Sequence, residues 1–433
     1  MEFPDRSDVD GLIDPQPLPA FARVRYAPSS ETLDDPVGAA RAELDRFDVG
    51  ELAPGATVAI GVGSRGIHRI DDITAAAVAW ADEHDLEPVV VPAMGSHGGA
   101  TPEGQREVLA SLGITADGVG APIDARMSVE RLATVTVGDT DAPVYVSEAA
   151  LDADAVVVIN RVKAHTNFTG PIESGLAKMA VVGLGKQRGA KSFHSTAIAE
   201  GYVETLTAAL EVIESSVPLL GGIALVENFD EELAHVEAVS AGSFLDREPE
   251  LLERAYAEMA TLPVDDIDLL VVDELGKEIS GAGMDTNVIG RYRVLNAPDP
   301  ETPAIDLIYV RGLTAATKGN GNGIGLADIT RQAAIDQLDL TKTYANALTS
   351  GSLAKSKLPV VAPDDEFAFR TALAALGGYD PETARIVWIR NTEDLAELHV
   401  SAALTDDLPD AATVRDRDVH VAFDDGTAQF SGR

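Results

Sequence analysis

The 433-residue chain has no cysteine, which removes disulfides, thiol nucleophiles, iron–sulfur clusters and cysteine-type zinc sites together. It also lacks any uninterrupted apolar run of the ~18–20 residues that cross a bilayer. The first twenty residues, rich in Asp and Pro, show neither the charged nor the apolar region of a signal peptide. A soluble, cytoplasmic protein is therefore expected. Positive charge is scarce, with 33 Lys+Arg against 71 Asp+Glu and a formal net charge of −38. Such a surface repels nucleic acid, and no long basic stripe offsets it. Acidity this strong, spread over the whole chain, fits a halophilic acidic protein whose carboxylates keep it hydrated in high salt. Lysine is scarcest of all: nine residues, none before Lys163, yet Lys163, Lys178, Lys186 and Lys191 fall close together. If salt adaptation strips lysine from the surface, the survivors gather where an amine is needed, and that points to 160–195.

What remains is ordinary globular composition, 45% hydrophobic and 24% charged, long enough for two or three domains. Short β-branched runs alternate with helical stretches, the pattern of an α/β protein. Strands are expected at 57–62, 87–92, 131–137, 143–147, 155–161 and 222–227, and helices at 71–84, from Thr101, near 198–215 and around 245–260. The Pro/Asp punctuation TLPVDDID precedes a strand at 268–275 and suggests a boundary near 262. The expected architecture is two α/β domains, 1–262 and 263–433, with the active site in the cleft between them. The second domain repeats the grammar, with strands at 305–310, 385–390 and 418–423 and a helix at 364–377.

Three strand ends carry unusual residues, and α/β proteins build sites at strand ends. GVGSRGIHR (61–69) offers Arg65 as a fork for a carboxylate or phosphate. MGSHGGATPEGQ (94–105) places His97 in a loop of small residues that feeds a helix N-terminus, where it can move a proton near neutral pH. The densest segment, 160–195, holds His165, His194, Glu173, Arg161, Arg188 and the four lysines. Lys178 is flanked there by apolar residues, a setting that lowers an amine pKa and makes it nucleophilic. GLGK (183–186) lacks the ending of a P-loop. His68, His84, His235, His399 and His420 lie in helix or strand contexts without companions.

These motifs, in this order, resemble the nickel-dependent lactate racemase family, whose enzymes use a nickel-pincer nucleotide. SRG (64–66) is similar to the family's Arg-bearing loop, MGSHGGATPE (94–103) to its histidine segment, and SGLAKMAVVGLG (174–185) to the segment whose lysine carries the cofactor. The resemblance covers roughly the first 260 residues. It implies that Lys178 tethers the pincer, that Gly183 and Gly185 line the cofactor, and that His194, sixteen residues on, ligates nickel. His97 and His165 would then be paired acid/bases on the two faces of the substrate, and Arg65 its carboxylate clamp. Lys277, in DELGKEISGAGMDTN (273–287), would be an anion contact. Cofactor maturation proteins would be the protein's partners. Independently of the resemblance, Lys318 lies in TKGNGNGIG (317–325), a loop expected to be flexible enough to serve as part of a lid.

The chain departs from the family's lactate enzymes at Val62, where they have Asp, at Val182, where they have Pro, and in a longer 165–178 segment. The implied activity is racemisation or epimerisation of another 2-hydroxy acid or sugar-derived acid. Two other readings stand beside it. One is a metal hydrolase or dehydratase ligated by His97, His165 and His194, without the organic cofactor; the other is a non-catalytic protein that binds organic anions.

Overall fold

The structure is a computed structural model that describes residues 4–431 apart from Ser29, Asn296 and the side chain of Thr349. It is a mixed α/β protein whose chain divides into two compact units. One comprises Ser30–His165 and Thr169–Met259. The other comprises the described residues before Ser30, the stretch Thr166–Phe168, and those from Ala260 onward.

The first unit is built on five strands in the order Glu87–Pro92, Thr57–Val62, Ala155–Arg161, Leu219–Glu227, Leu233–Ser240. The first four run parallel and the last antiparallel. Alternate residues of each buried strand enter opposite cores. Ala59, Val91, Val156 and Val158 pack on one face, and Val58, Ile60, Val90, Val157 and Ile159 on the other. A parallel sheet covered on both faces needs near-continuous apolar strands, which is what these sequences supply. From Thr57–Val62 the chain steps to one side for Glu87–Pro92, then returns to the other side for Ala155–Arg161. The winding therefore reverses between Thr57–Val62 and Ala155–Arg161, the place where open α/β sheets leave a crevice at their carboxyl ends.

The expected strand at 143–147 is the core of a longer one, Thr140–Ser147, in a hairpin with Val129–Val137. The expected helix from Thr101 is Pro102–Ser111, capped by the Thr101 hydroxyl accepting from the Gly104 amide. Where a single helix near 198–215 was expected there are two, Lys186–Glu200 and Tyr202–Ser216, parted at Gly201 with φ 110°.

The second unit holds nine strands, in the order Val360–Ala362, Ile329–Arg331, Ala304–Val310, Asp266–Val272, Ile386–Ile389, Glu397–Ser401, Phe21–Tyr26, Ala412–Asp424, Thr427–Ser431. The division expected at 262 leaves the N-terminus in the first unit. In the structure Phe21–Tyr26 pairs on one side with Glu397–Ser401 and on the other with Ala412–Asp424, so the early residues cluster with the second unit. The pairing is non-local, and a six-residue strand carries no signal of a partner some 370 positions away. Among the described residues, no helix is long and apolar enough to cross a membrane.

Candidate active site

In the five-stranded sheet Val62 lies opposite both Pro92 and Ile159. The loops that follow those three strands therefore leave the sheet side by side, and they are the three segments singled out in the sequence.

The second loop is shaped by Gly98, at φ 65°, where an added Cβ would sit 2.5 Å from the Gly104 backbone carbon. Only glycine allows the loop to fold this tightly onto the start of the following helix. The fold brings exposed His97 to the first loop, where its Nδ1 and the Ser64 hydroxyl share a hydrogen bond. The neighbouring Arg65 reaches solvent along its surface, while surrounding protein desolvates its guanidinium and lowers its pKa.

The third loop is closed by reciprocal backbone bonds between Lys163 and Ser174, at 3.0 and 3.2 Å. Inside the loop the Glu173 carboxylate accepts from the amides of His165 and Gly170, at 2.5 and 3.0 Å, and from the Tyr256 hydroxyl at 2.8 Å. Burial raises the Glu173 pKa, and those hydrogen bonds oppose the rise. Glu173 thus fixes the backbone of buried His165. The His165 ring lies 5.9 Å from Tyr202, and Phe193 continues the aromatic row to His194.

Beyond the loop, the Asn160 amide donates to the Gly175 carbonyl at 2.9 Å, and Glu248 accepts from the Ala177 amide at 2.6 Å. These two contacts hold one helical turn, Leu176–Lys178, which runs into a π-helical turn, Met179–Gly183. Such wide turns recur at functional sites because they displace a side chain from the regular helical row. Met179, Ala180, Val181, Val182 and Leu184 are core residues, so half-buried Lys178 projects from an apolar base. Burial first, then the charges of Arg65 and Lys163, lower its amine to about 7 against the opposing charge of Glu173. His194 is brought to about 4, first by burial and then by the Lys178 charge, so its imidazole is neutral at pH 7.

The structure thus gathers Arg65, Lys178, His194 and Glu173 into one electrostatic neighbourhood, with His97 joined through Ser64 and His165 through Glu173. It gives four other expected residues different surroundings. Gly183 and Gly185 are buried, and an added Cβ would meet the Ala93 carbonyl oxygen at 2.6 Å or that of Val181 at 2.5 Å. Close backbone packing explains both glycines without a ligand. Lys277 lies in the second unit, where its amine donates to the Gly281 carbonyl and its charge acts on buried Lys355. Lys318, expected in a flexible lid, sits in a tied turn where its carbonyl accepts from the Lys342 amine at 2.8 Å.

Among the described residues no three His, Asp or Glu side chains form a metal-ligand group, so His97, His165 and His194 do not make a three-histidine site. The remaining histidines have local partners. His84 bonds the Trp80 carbonyl, His235 meets Glu237, His420 meets Asp418, and His399 stacks on Phe430 at 3.7 Å. Sequence reasoning missed Ser64 as the partner of His97. It also missed Glu248, one of 71 acidic residues and marked only by its place on the buried face of its helix.

No known family model and no curated protein matches the chain. Among solved structures, a Thermotoga maritima protein determined by structural genomics aligns at TM-score 0.50 and 15% identity, covering 83% of this chain and 97% of its own. That likeness is one of fold. The lactate racemase apoprotein of Thermoanaerobacterium thermosaccharolyticum aligns at TM-score 0.49 and 13% identity, covering 83% of this chain and 96% of its own.

Proposed function

We propose that the protein is an isomerase that inverts the hydroxyl-bearing carbon of a 2-hydroxy acid or sugar-derived acid, with a nickel-pincer nucleotide tethered to Lys178. The observation that carries the reading is the Lys178 amine, half-buried at the end of the helical turn that runs into the π-helical one, and lowered to about 7. An amine in this state is substantially unprotonated at neutral pH, as covalent attachment requires.

The other residues fit the same group. His194 is neutral, the form in which an imidazole binds nickel. One protein ligand suffices where the organic cofactor supplies the rest. When bound, the group supplies a reversible hydride acceptor. The chain's own residues do the rest. Arg65 grips the substrate carboxylate as a bidentate fork and keeps the carbon in place between the two histidines. His97, oriented by Ser64, and His165, oriented from its backbone by Glu173, take and return the hydroxyl proton on opposite faces. Glu173 is a positioning residue here, since its oxygens are engaged by His165, Gly170 and Tyr256.

The test is exchange of the α-hydrogen in a panel of single-enantiomer 2-hydroxy acids, using protein produced beside the cofactor's maturation enzymes. Wild-type protein is expected to racemise at least one. His97→Ala should keep the adduct and lose turnover by about 10²–10⁴-fold, the usual worth of a general acid/base, whereas Lys178→Ala should lose both. Racemisation by His97→Ala at the wild-type rate contradicts the two-histidine scheme.

A further inference from the structure

Of the four clustered lysines, Lys186 has no part in the chemistry above, yet it is the most deeply placed. Its side chain is 0% exposed, and its backbone holds a positive φ of 51° at the start of helix Lys186–Glu200. Burial lowers its amine to about 8 against the opposing charge of Asp124. A buried amine is costly, and a methionine would fill the same space.

The amine donates to the Pro92 carbonyl at 2.6 Å and to Gln105 Oε1 at 3.1 Å. Gln105, also 0% exposed, donates from Nε2 to the carbonyls of Gly95 at 3.1 Å and His97 at 3.4 Å. The orientation of that amide is forced. A lysine can only donate, so Gln105 must present its oxygen to Lys186, and its NH₂ must then face the loop carbonyls. The chain of contacts runs from the end of strand Glu87–Pro92, through helix Pro102–Ser111, to the loop that carries His97.

We propose that Lys186 is a positioning residue, which sets the Gln105 amide so that it holds the 94–98 loop and fixes His97 against Ser64. The proposal rests on the reading of His97 as an acid/base. The lysine's worth lies in its donors, not in its bulk, and Gln105 converts them into a grip on the two carbonyls.

The experiment compares amide hydrogen exchange in Lys186→Met and Gln105→Glu with wild type. Gln105→Glu keeps an acceptor for Lys186 and removes the donor to Gly95 and His97. Both variants are expected to speed exchange at the Gly95 and His97 amides by about tenfold or more. The Lys163 and Ser174 amides, which close the other loop, should exchange as in wild type. In loaded protein kcat should fall by about tenfold or more, with KM changing less. Wild-type exchange at Gly95 and His97 in Gln105→Glu, or equal acceleration at Lys163 and Ser174, overturns the proposal. If Lys186→Met does not fold, Gln105→Glu alone decides. A fully active His97→Ala variant instead sinks the reading of His97 and leaves the exchange result standing.

Discussion

In the nine-stranded sheet, Arg311 follows strand Ala304–Val310, Arg331 ends strand Ile329–Arg331, and both donate to fully buried Asp365. Asp365 also accepts from the Tyr309 hydroxyl and the Ala428 amide. Arg311 turns its other nitrogen to Asp273, which the Trp388 indole also meets at 2.8 Å. Two cations and two carboxylates cancel. In the five-stranded sheet the strand ends carry charge as well, but there Lys178 faces Arg65 and Lys163 as like charges, and the opposing Glu173 spends its oxygens on the His165 loop. One cluster is closed upon itself and stabilises its unit. The other keeps repulsion in place, which stability alone does not explain and a bound anionic ligand does.

The comparison breaks most visibly in the closed cluster. Asp365→Ala strands two arginines around a buried vacancy and should cost about 3–5 kcal/mol, the usual penalty for breaking a buried pair. Chemical denaturation measures it, and a loss under about 1 kcal/mol would show that the cluster is as weakly held as a surface pair.

The open cluster should behave in the opposite sense. Lys178 has its folded pKa near 7 against 10.5 in the unfolded chain. The unfolded state binds the extra proton between those values, so the group adds stability as pH rises from about 7 to 10.5. Lys178→Met should therefore lose no stability at pH 7, while removing part of the gain that wild-type protein shows toward pH 10. Melting temperatures across that range test it; a variant that is markedly less stable at pH 7 contradicts the reading.

A smaller effect concerns Glu248, whose carboxyl burial pushes up to about 7, against the pull of the Ala177 and Leu176 amides. Its folded pKa lies above its unfolded one of 4.5, so wild-type protein loses stability as pH rises from about 4.5 to 7. Glu248→Gln keeps an acceptor for the Ala177 amide and cannot ionise. Its stability relative to wild type should climb over that window and level off above it. A difference that stays flat with pH would place the Glu248 carboxyl outside the low-dielectric setting described here.

The three loops of the site were legible in the sequence because β-branched runs announce parallel strands, and polar residues straight after such runs have few other uses. Val58–Val62 and Ala155–Ile159 were plain in this sense, and Arg65, His97 and Lys178 stood out against them. Helix Lys186–Glu200 was not legible. Its sequence, KQRGAKSFHSTAIAE, is polar and carries Gly189, and its packing rests on a few residues such as Ala190, Phe193 and Ala197 set into the core. The π-helical turn leaves no periodic signature at all. Gly183 and Gly185 resemble a phosphate cradle by composition, while close approach to the Ala93 and Val181 carbonyls gives them a packing reason that composition does not show. The strand Phe21–Tyr26 shows the same limit at larger scale: its partners are set by topology, and a local pattern does not encode them.

Lys178 stands at the centre of the proposed function, as a reactive amine that carries a cofactor. The most direct measurement is intact mass with peptide mapping and nickel analysis, on protein produced beside the cofactor's maturation enzymes. The account predicts an adduct the size of the pincer nucleotide on Lys178, with about one nickel per chain. Unmodified Lys178 and metal-free protein, under conditions that load a lactate racemase, would contradict it.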